Sequence, residues 1–316
     1  MSARILIAED NPVNREVAGE ALRQLGCQVD MANDGQQAIE GWRSTHYAVI
    51  LMDCHMPNMD GIEAAKIIRM RESTDGRART PIIALTANAR GEDYQRCIAA
   101  GMDDYLTKPL TLDELRTALE RWLGRQAPTE PPATTDVEPV RAAEPIQPEA
   151  PAAPVMVDAS AATVFPVPSE PAATSEEGRT QAMPNDDSTD VGDALDKATI
   201  DYLRSLRRGD GPSVLERAID MYLENAPAAL EELRRSIAGG DASAIWRIAH
   251  GLKSSSASLG AKQLAQHVGE MEGRARQNDL AEADSRFVSI EAEFKKVSMA
   301  LRQTLREEKD KCRQIA

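Results

Sequence analysis

The sequence predicts two folded domains of different class, an α/β domain followed by an all-α domain, with a linker between them. Its 316 residues are about twice the ~150-residue expectation for one domain. Short apolar runs alternate with helix-period segments up to residue 125, and helix-period segments alone follow residue 193. Residues 126–193 hold twelve of the eighteen prolines. We therefore predict domains at 1–125 and 194–316 and a linker at 126–193.

The N-terminal domain contains five apolar runs that we interpret as strands. Helical segments at 14–25 and 112–122 flank them, a pattern that is typical of βαβ units around a parallel sheet. The runs YAVILM and PIIALT are almost entirely apolar, which indicates strands buried on both faces. The predicted strands lie at 4–9, 27–32, 47–52, 81–86 and 104–107.

The linker carries most of the charge of the chain. Residues 126–193 contain thirteen acidic and two basic residues, which leaves −11 of the total −14 in this segment. A segment rich in Pro, Ala and acidic residues cannot bury enough apolar surface to order itself, so we predict disorder. Both folded parts are then close to neutral.

Several functional classes are disfavoured by composition. Neither folded part has a basic stripe, and aromatic residues make up 3% of the chain, so we expect no nucleic-acid partner. The four cysteines are scattered without CxxC spacing, which predicts neither a disulfide framework nor a zinc site. No apolar run approaches the ~18 residues of a membrane span. We expect no membrane insertion and a cytoplasmic location.

We predict that the C-terminal domain is an up-and-down helical bundle. Its helical segments are separated by breaker dipeptides, and short connections place neighbouring helices antiparallel. The dipeptides are Gly211-Pro212, Gly239-Gly240, Leu259-Gly260 and Asn278-Asp279.

Polar residues follow four of the predicted strands. Glu9 and Asp10 end the first strand, Asp53 the third and Thr86 the fourth, and Lys108 follows the fifth. In an open α/β sheet these strand ends form the ligand crevice. Converging carboxylates require a cation, and all-oxygen ligands favour Mg²⁺. The Asp53 carboxylate is a candidate nucleophile toward phosphorus, with Lys108 and Thr86 meeting the phosphoryl oxygens.

These residues carry a family resemblance. AEDN at 8–11, MDCHMPNMDG at 52–61, LTA at 85–87 and YLTKP at 105–109 resemble the receiver domain of two-component response regulators. The resemblance implies a flavodoxin-like, doubly wound sheet of five parallel strands, with Asp53 as phosphoacceptor. It also implies an Mg²⁺ site formed by Asp10, Asp53 and the backbone carbonyl of His55, with Glu9 acting largely through water.

The same resemblance assigns further roles. Thr86 and Tyr105 would form a switch pair, and Lys108 would contact the phosphoryl group. Lys108-Pro109 would often be a cis peptide bond. We further hypothesise that His55 tunes how readily water reaches an acyl phosphate on Asp53.

A second candidate site lies on the segment DASAIWRIAHGLKSSSASL at 241–259. At ~100° per residue its apolar side chains form an arc centred at about 200° from His250, so we expect His250 to be exposed. Lys253, three residues on, lies on the same face. An accessible imidazole beside a cation and the small Gly251 is a candidate nucleophile for a phosphoryl group.

AHGLKSSSASLGA at 249–261 resembles the phosphoacceptor segment of histidine-containing phosphotransfer (HPt) domains. The resemblance implies a four-helix bundle in which His250 is phosphorylated and Lys253 assists. Ser254 stands where that family usually has glycine, a small departure in side-chain size.

Together the two resemblances predict a two-component phosphorelay protein. Asp53 would accept a phosphoryl group from an upstream sensor histidine kinase with Mg²⁺, and His250 would pass it to the receiver of another response regulator. Nothing resembles an ATP-binding kinase domain, so we expect a relay intermediate and not an enzyme.

Other interpretations stay open at this point. AEDNPVNREVA resembles receivers attached to hybrid sensor kinases, so the chain could be the C-terminal part of one. It could also be a phosphorylation-switched interaction protein, or a phosphate sink fed from His250 to Asp53. A hydrolase with an aspartate nucleophile is disfavoured, because His55, two residues after Asp53, supplies no second carboxylate.

Overall fold

Five parallel strands form the centre of the N-terminal domain in the computed structural model of the chain, which describes residues 3–86, 92–124, 194–206 and 212–315. The strand order is β2-β1-β3-β4-β5, the order of flavodoxin-like sheets. The predicted doubly wound sheet is therefore confirmed. The strands are β1 (Arg4–Ala8), β2 (Gln28–Ala32), β3 (Val49–Asp53), β4 (Ile82–Thr86) and β5 (Asp104–Thr107).

Ten helices occur in the described residues. Within these segments, no helix combines the length and the apolar character that crossing a membrane requires. The helices of the N-terminal domain are α1 (Pro12–Gln24), α2 (Gly35–Ser44), α3 (Gly61–Asp75), α4 (Glu92–Ala99) and α5 (Leu112–Leu123). Those that follow are α6 (Lys197–Ser205), α7 (Val214–Ala238), α8 (Ala242–Ser258), α9 (Lys262–Arg276) and α10 (Ala283–Ile315).

The sheet is covered by helices on both faces because successive strand residues point to opposite sides. Ile5 and Ile7 of β1 belong to a hydrophobic cluster with residues of α1 and α5. Leu6 and Ala8 belong to a second cluster with residues of α2, α3 and α4. The central strands β1, β3 and β4 are almost fully buried, which the continuous apolar runs predicted for β3 and β4.

Four long helices form the bundle of the C-terminal domain. Helix α7 contacts α8, α8 contacts α9, α9 contacts α10, and α10 returns to α7, while the short α6 packs on α7. The chain turns at Gly240 and Gly260, whose φ angles of 65° and 78° suit glycine. The predicted four-helix bundle is confirmed, and its turns fall at the predicted dipeptides within the described residues.

The N-terminal domain and the bundle belong to one compact unit. The hydrophobic cluster on the α1 and α5 side of the sheet continues into the bundle, and α1 contacts both α7 and α8. The predicted disordered linker lies outside the described residues, and the domain boundaries at 125 and 194 stay predictions.

We predict that a buried hydroxyl pair stabilises the bundle. Tyr222 on α7 and Ser256 on α8 are fully buried, and their hydroxyls lie 2.8 Å apart. Ser256→Ala should lower the free energy of unfolding by about 1–3 kcal/mol, because the phenol loses its buried partner. Urea denaturation measures this cost. In a Tyr222→Phe background the cost of Ser256→Ala should shrink, and an undiminished cost would contradict the pairing.

Candidate functional site

Three carboxylates meet at the carboxyl edge of the sheet. Glu9 and Asp10 follow β1, and Asp53 ends the neighbouring strand β3. One carboxylate oxygen from each lies within 4.8 Å of the others. The sequence predicted this convergence, since parallel strands in register end at the same edge.

Lys108 provides the cation of this acidic cluster. It follows β5, its side chain is buried, and its Nζ donates to Asp53 Oδ2 at 2.5 Å and to Glu9 Oε2 at 2.6 Å. Burial acts to lower the pKa of Lys108, but the Asp53 and Glu9 carboxylates outweigh it and raise that pKa. Lys108 therefore stays charged, and the Lys108-Pro109 bond is cis, as expected.

Burial and mutual repulsion raise the pKa of two of the three carboxyl groups, Glu9 and Asp10. Burial raises the pKa of Glu9, and the charge on Asp53 adds to this although Lys108 opposes it. Burial also raises the pKa of Asp10, with a further contribution from Glu9. A second cation would relieve this repulsion, and a set of three carboxylates offers the hard oxygen ligands that fit Mg²⁺.

Glycine lets α3 begin directly against the end of β3. A Cβ on Gly61 would lie 1.9 Å from the backbone carbonyl oxygen of Asp53, so any other residue would displace one of the two elements. In the intervening loop the backbone N–H of His55 donates to Asp53 Oδ1 at 3.2 Å. The close approach of Gly61 fixes the backbone of Asp53, and the hydrogen bond from His55 orients its carboxylate.

The two predicted switch residues lie on adjacent strands. Thr86 ends β4 and is buried, next to Thr107 of β5 in the strand register. Tyr105 of β5 is 37% exposed, and its ring meets Tyr94 of α4 edge to face at 5.0 Å.

The expected exposure of His250 is wrong. His250 lies opposite the apolar stripe of α8, as the helical wheel predicted, yet it is only 8% exposed. Its ring centroid lies 5.2 Å from that of His55 in the N-terminal domain and 6.0 Å from that of Trp246, one turn earlier on α8. His55 also meets Trp246 edge to face at 5.2 Å. The N-terminal domain covers the face of α8 that would otherwise contact solvent.

Glu272 of α9 binds both candidate residues of α8. His250 Nδ1 lies 2.7 Å from Glu272 Oε1, and Lys253 Nζ donates to Glu272 Oε2. Burial acts to raise the pKa of Glu272, but the bonds to His250 and Lys253 outweigh it and lower the pKa to about 2. Because a carboxylate only accepts hydrogen bonds, Nδ1 of His250 carries a proton, and in the neutral imidazole this leaves the lone pair on Nε2.

Polar contacts join α1 to the helix that carries His250. Asn11 Nδ2 donates to the backbone carbonyl of Gly251 at 3.1 Å. Asn14 bonds the side chains of Ser254 and Ser258. At the rim Arg217 of α7 pairs with Glu16 at 2.7 Å. His250 is close enough to Asp10 that an imidazolium charge would oppose the raised pKa of Asp10.

Comparison with known families agrees with this geometry. The response regulator receiver domain matches residues 5–120, and the Hpt domain matches residues 217–309. The chain combines a receiver domain with an HPt domain. Both predicted resemblances are confirmed, and with them the prediction of a phosphorelay architecture.

Curated relatives named as histidine kinases or sensor proteins are similar to part of this chain. Probable histidine kinase 1 of Oryza sativa subsp. indica is 38% identical over 153 residues, which are 39% of this chain and 16% of that protein. Virulence sensor protein BvgS of Bordetella pertussis is 39% identical over 148 residues, 44% of this chain and 12% of that protein. This chain therefore spans less than a fifth of the length of either relative.

One solved structure that resembles the chain is the receiver domain of sensor histidine kinase PA1611 from Pseudomonas aeruginosa PAO1. It is 46% identical, with a TM-score of 0.37, and the match covers 40% of this chain and 100% of that one. Its description places a magnesium ion in the active site cleft of that protein.

Three residues of the site escaped the sequence analysis. Glu272 was detectable, because it follows Val268 by four positions and so places a carboxylate on the buried stripe of α9. Trp246 and Asn14 gave no comparable signal. Their importance comes from the contact between the receiver and HPt domains, which a wheel of a single helix does not contain.

We predict that Glu272 stabilises the HPt domain in a pH-dependent way. A carboxyl group whose pKa falls on folding contributes stability that is fully present when the pH is above its ordinary pKa, 4.5 for Glu272. This stability is lost as the pH falls toward the pKa of the folded state, about 2. Glu272→Gln should therefore cost about 1–3 kcal/mol near neutral pH and much less near pH 2–3. Urea denaturation at both pH values measures this difference.

Glu270 offers a matched control on the same helix. Its side chain is 46% exposed and pairs with Arg286, so solvent screens the interaction. Glu270→Gln should change stability little at either pH. An equal cost of Glu272→Gln at both pH values would contradict the assigned ionisation.

Proposed function

We propose that this chain is a phosphorelay intermediate in which Asp53 accepts a phosphoryl group and passes it to His250 of the same chain. The observation that carries this proposal is the packing of His250 on the receiver edge. His55 bridges the two acceptors, since its backbone N–H bonds Asp53 and its ring contacts that of His250.

In the first step an Asp53 oxygen attacks the phosphorus of a phosphohistidine on a sensor histidine kinase. The new P–O bond replaces the P–N bond, and the kinase imidazole leaves with the electron pair. Lys108 shifts from the Asp53 carboxylate to an oxygen of the bound phosphoryl group, and the Thr86 hydroxyl donates to another. Glu9, Asp10, Asp53 and the carbonyl of His55 would hold Mg²⁺, which supplies neutralisation of the phosphoryl charge when bound.

In the second step Nε2 of His250 attacks the acyl phosphate. The P–N bond forms as the P–O bond to Asp53 breaks, and Asp53 leaves as a carboxylate. Attack through Nε2 leaves the proton on Nδ1 and places a positive charge on the ring. Glu272, already bonded to Nδ1, stabilises that charge as it develops.

The partners follow from the two domain types. An upstream sensor histidine kinase supplies the group to Asp53, and the receiver of another response regulator takes it from His250. Similarity to proteins named as histidine kinases supports the first partner. Tyr105, partly exposed on β5, would change its position with Thr86 when Asp53 is phosphorylated.

We predict that label moves from Asp53 to His250 in the intact chain. With Mg²⁺ and radiolabelled acetyl phosphate as donor, the unchanged chain should acquire acid-labile, base-stable phosphohistidine. His250→Gln should retain only base-labile acyl phosphate, and Asp53→Asn should retain neither form. Chemical stability of the label and mass spectrometry of the labelled peptides measure these species.

The order of transfer is what this test decides. Label on His250 in the Asp53→Asn chain would contradict a relay through Asp53. Label confined to Asp53 in the unchanged chain would contradict transfer to His250 and would favour a receiver that acts as a switch.

We also predict that the charge of Glu272 accelerates the second step. Glu272→Gln keeps an acceptor for Nδ1 but cannot stabilise the ring charge, so transfer to His250 should slow by about tenfold or more. Labelling of Asp53, followed in a His250→Gln background, should not change. The Glu270→Gln chain is the control, and an unchanged transfer rate in Glu272→Gln would remove Glu272 from the mechanism.

A further inference from the structure

Asn14 lies at the point where the acidic cluster meets the HPt domain. Its Nδ2 donates to Glu9 Oε1 at 3.0 Å and to Ser254 Oγ at 2.8 Å. Its Oδ1 accepts from Ser258 Oγ at 2.8 Å. Both protons of the amide and its oxygen therefore have partners, two of them on α8.

This polar junction is removed from water. Asn14, Ser254 and Ser258 are each buried, and Glu9 beneath them is 2% exposed. A buried amide that loses its hydrogen-bond partners costs more free energy than a satisfied amide contributes. The junction can therefore discriminate between bundles through the cost of docking one that leaves the amide unsatisfied. A bundle without hydroxyls at the two serine positions would leave one proton and the oxygen of the Asn14 amide without partners on docking.

The junction also connects docking to the chemistry of the receiver. Glu9 accepts from Asn14 through Oε1 and from Lys108 through Oε2. Lys108 in turn binds Asp53. A continuous series of hydrogen bonds thus runs from α8, beside His250, to the carboxylate of Asp53.

The other polar contacts of this interface are less selective. Asn11 binds a backbone carbonyl, which every bundle offers. The Arg217–Glu16 pair is partly exposed, so solvent weakens it.

We propose that Asn14 is a positioning residue that selects this HPt domain as the partner of this receiver by hydrogen bonding to the Ser254 and Ser258 hydroxyls. The inference rests on the proposed relay for its effect on transfer, but it concerns docking and can be measured without phosphoryl chemistry. Asn14 does not touch the transferred group.

The test compares four full-length chains: the unchanged chain, Asn14→Ala, the pair Ser254→Ala and Ser258→Ala, and all three changes together. Ser255→Ala is the matched control, because this buried serine bonds only carbonyls of its own helix among the contacts of the described residues. The serine variants alter the bundle alone, and labelling of Asp53 in a His250→Gln background checks that receiver chemistry is retained in them.

Two readouts are expected to change together. Transfer from Asp53 to His250, with acetyl phosphate as donor, should slow by about tenfold in the serine pair and in Asn14→Ala. Modification of His250 by diethyl pyrocarbonate, followed by peptide mass spectrometry, should accelerate by a similar factor as docking weakens. The triple variant should be little worse than either parent, since all its changes remove one junction.

Additive effects in the triple variant, or modification rates equal to that of Ser255→Ala, would overturn the role of Asn14. If label never reaches His250 in any chain while the modification rates follow the expected pattern, the relay proposal fails and the pairing role of Asn14 stands. If transfer occurs in the unchanged chain and neither readout responds to these substitutions, the relay stands and the role of Asn14 fails.

Discussion

A buried ammonium between two buried carboxylates is the interaction on which the receiver edge depends. Glu9 and Asp53 are each 2% exposed, and together with Asp10 they would repel one another strongly at this separation. Lys108 reaches both buried carboxylates from the far side of β4. The strand order makes this possible, because β1 and β3 are neighbours and the end of β5 lies at the same edge. A further charged species, a divalent cation or a phosphoryl group, then enters a site in which two of the three carboxylates already have a partner.

The contact between the domains imposes a second constraint, on when His250 can reach another receiver. The receiver that covers His250 brings it toward Asp53 and at the same time excludes a second receiver from that face of α8. Outward transfer therefore requires the two domains to separate. The two domains belong to one chain, so renewed docking after such a separation is intramolecular.

Most of the fold and much of the site could be predicted from the sequence. All five strands and the helix-breaking glycines at 240 and 260 are specified by local patterns, which need no tertiary information. The acidic cluster follows from strand order, because parallel strands end at one edge. The burial of His250 was not predictable in this way. A helical wheel separates the core face of α8 from the opposite face, but it cannot tell whether another domain covers that opposite face. Asn14 and Trp246 were missed for the same reason, since their partners are distant in sequence.

The ion pair between Lys253 and Glu272 changes which charges are expected to act in phosphoryl transfer. The sequence suggested that Lys253 meets the phosphoryl group, yet its ammonium binds Glu272, the same carboxylate that holds Nδ1 of His250. With a pKa of about 2, Glu272 remains an anion at neutral pH and keeps both proton donors. In the proposed relay, Lys108 is then a cation that already lies on the receiver side, and its partner Asp53 would be the leaving carboxylate. On release that carboxylate would recover the ammonium, so the receiver side would regain its ion pair when the ring of His250 becomes positive beside Glu272. Each side of the interface would then end the step with its charge compensated, and neither would bury an isolated ion.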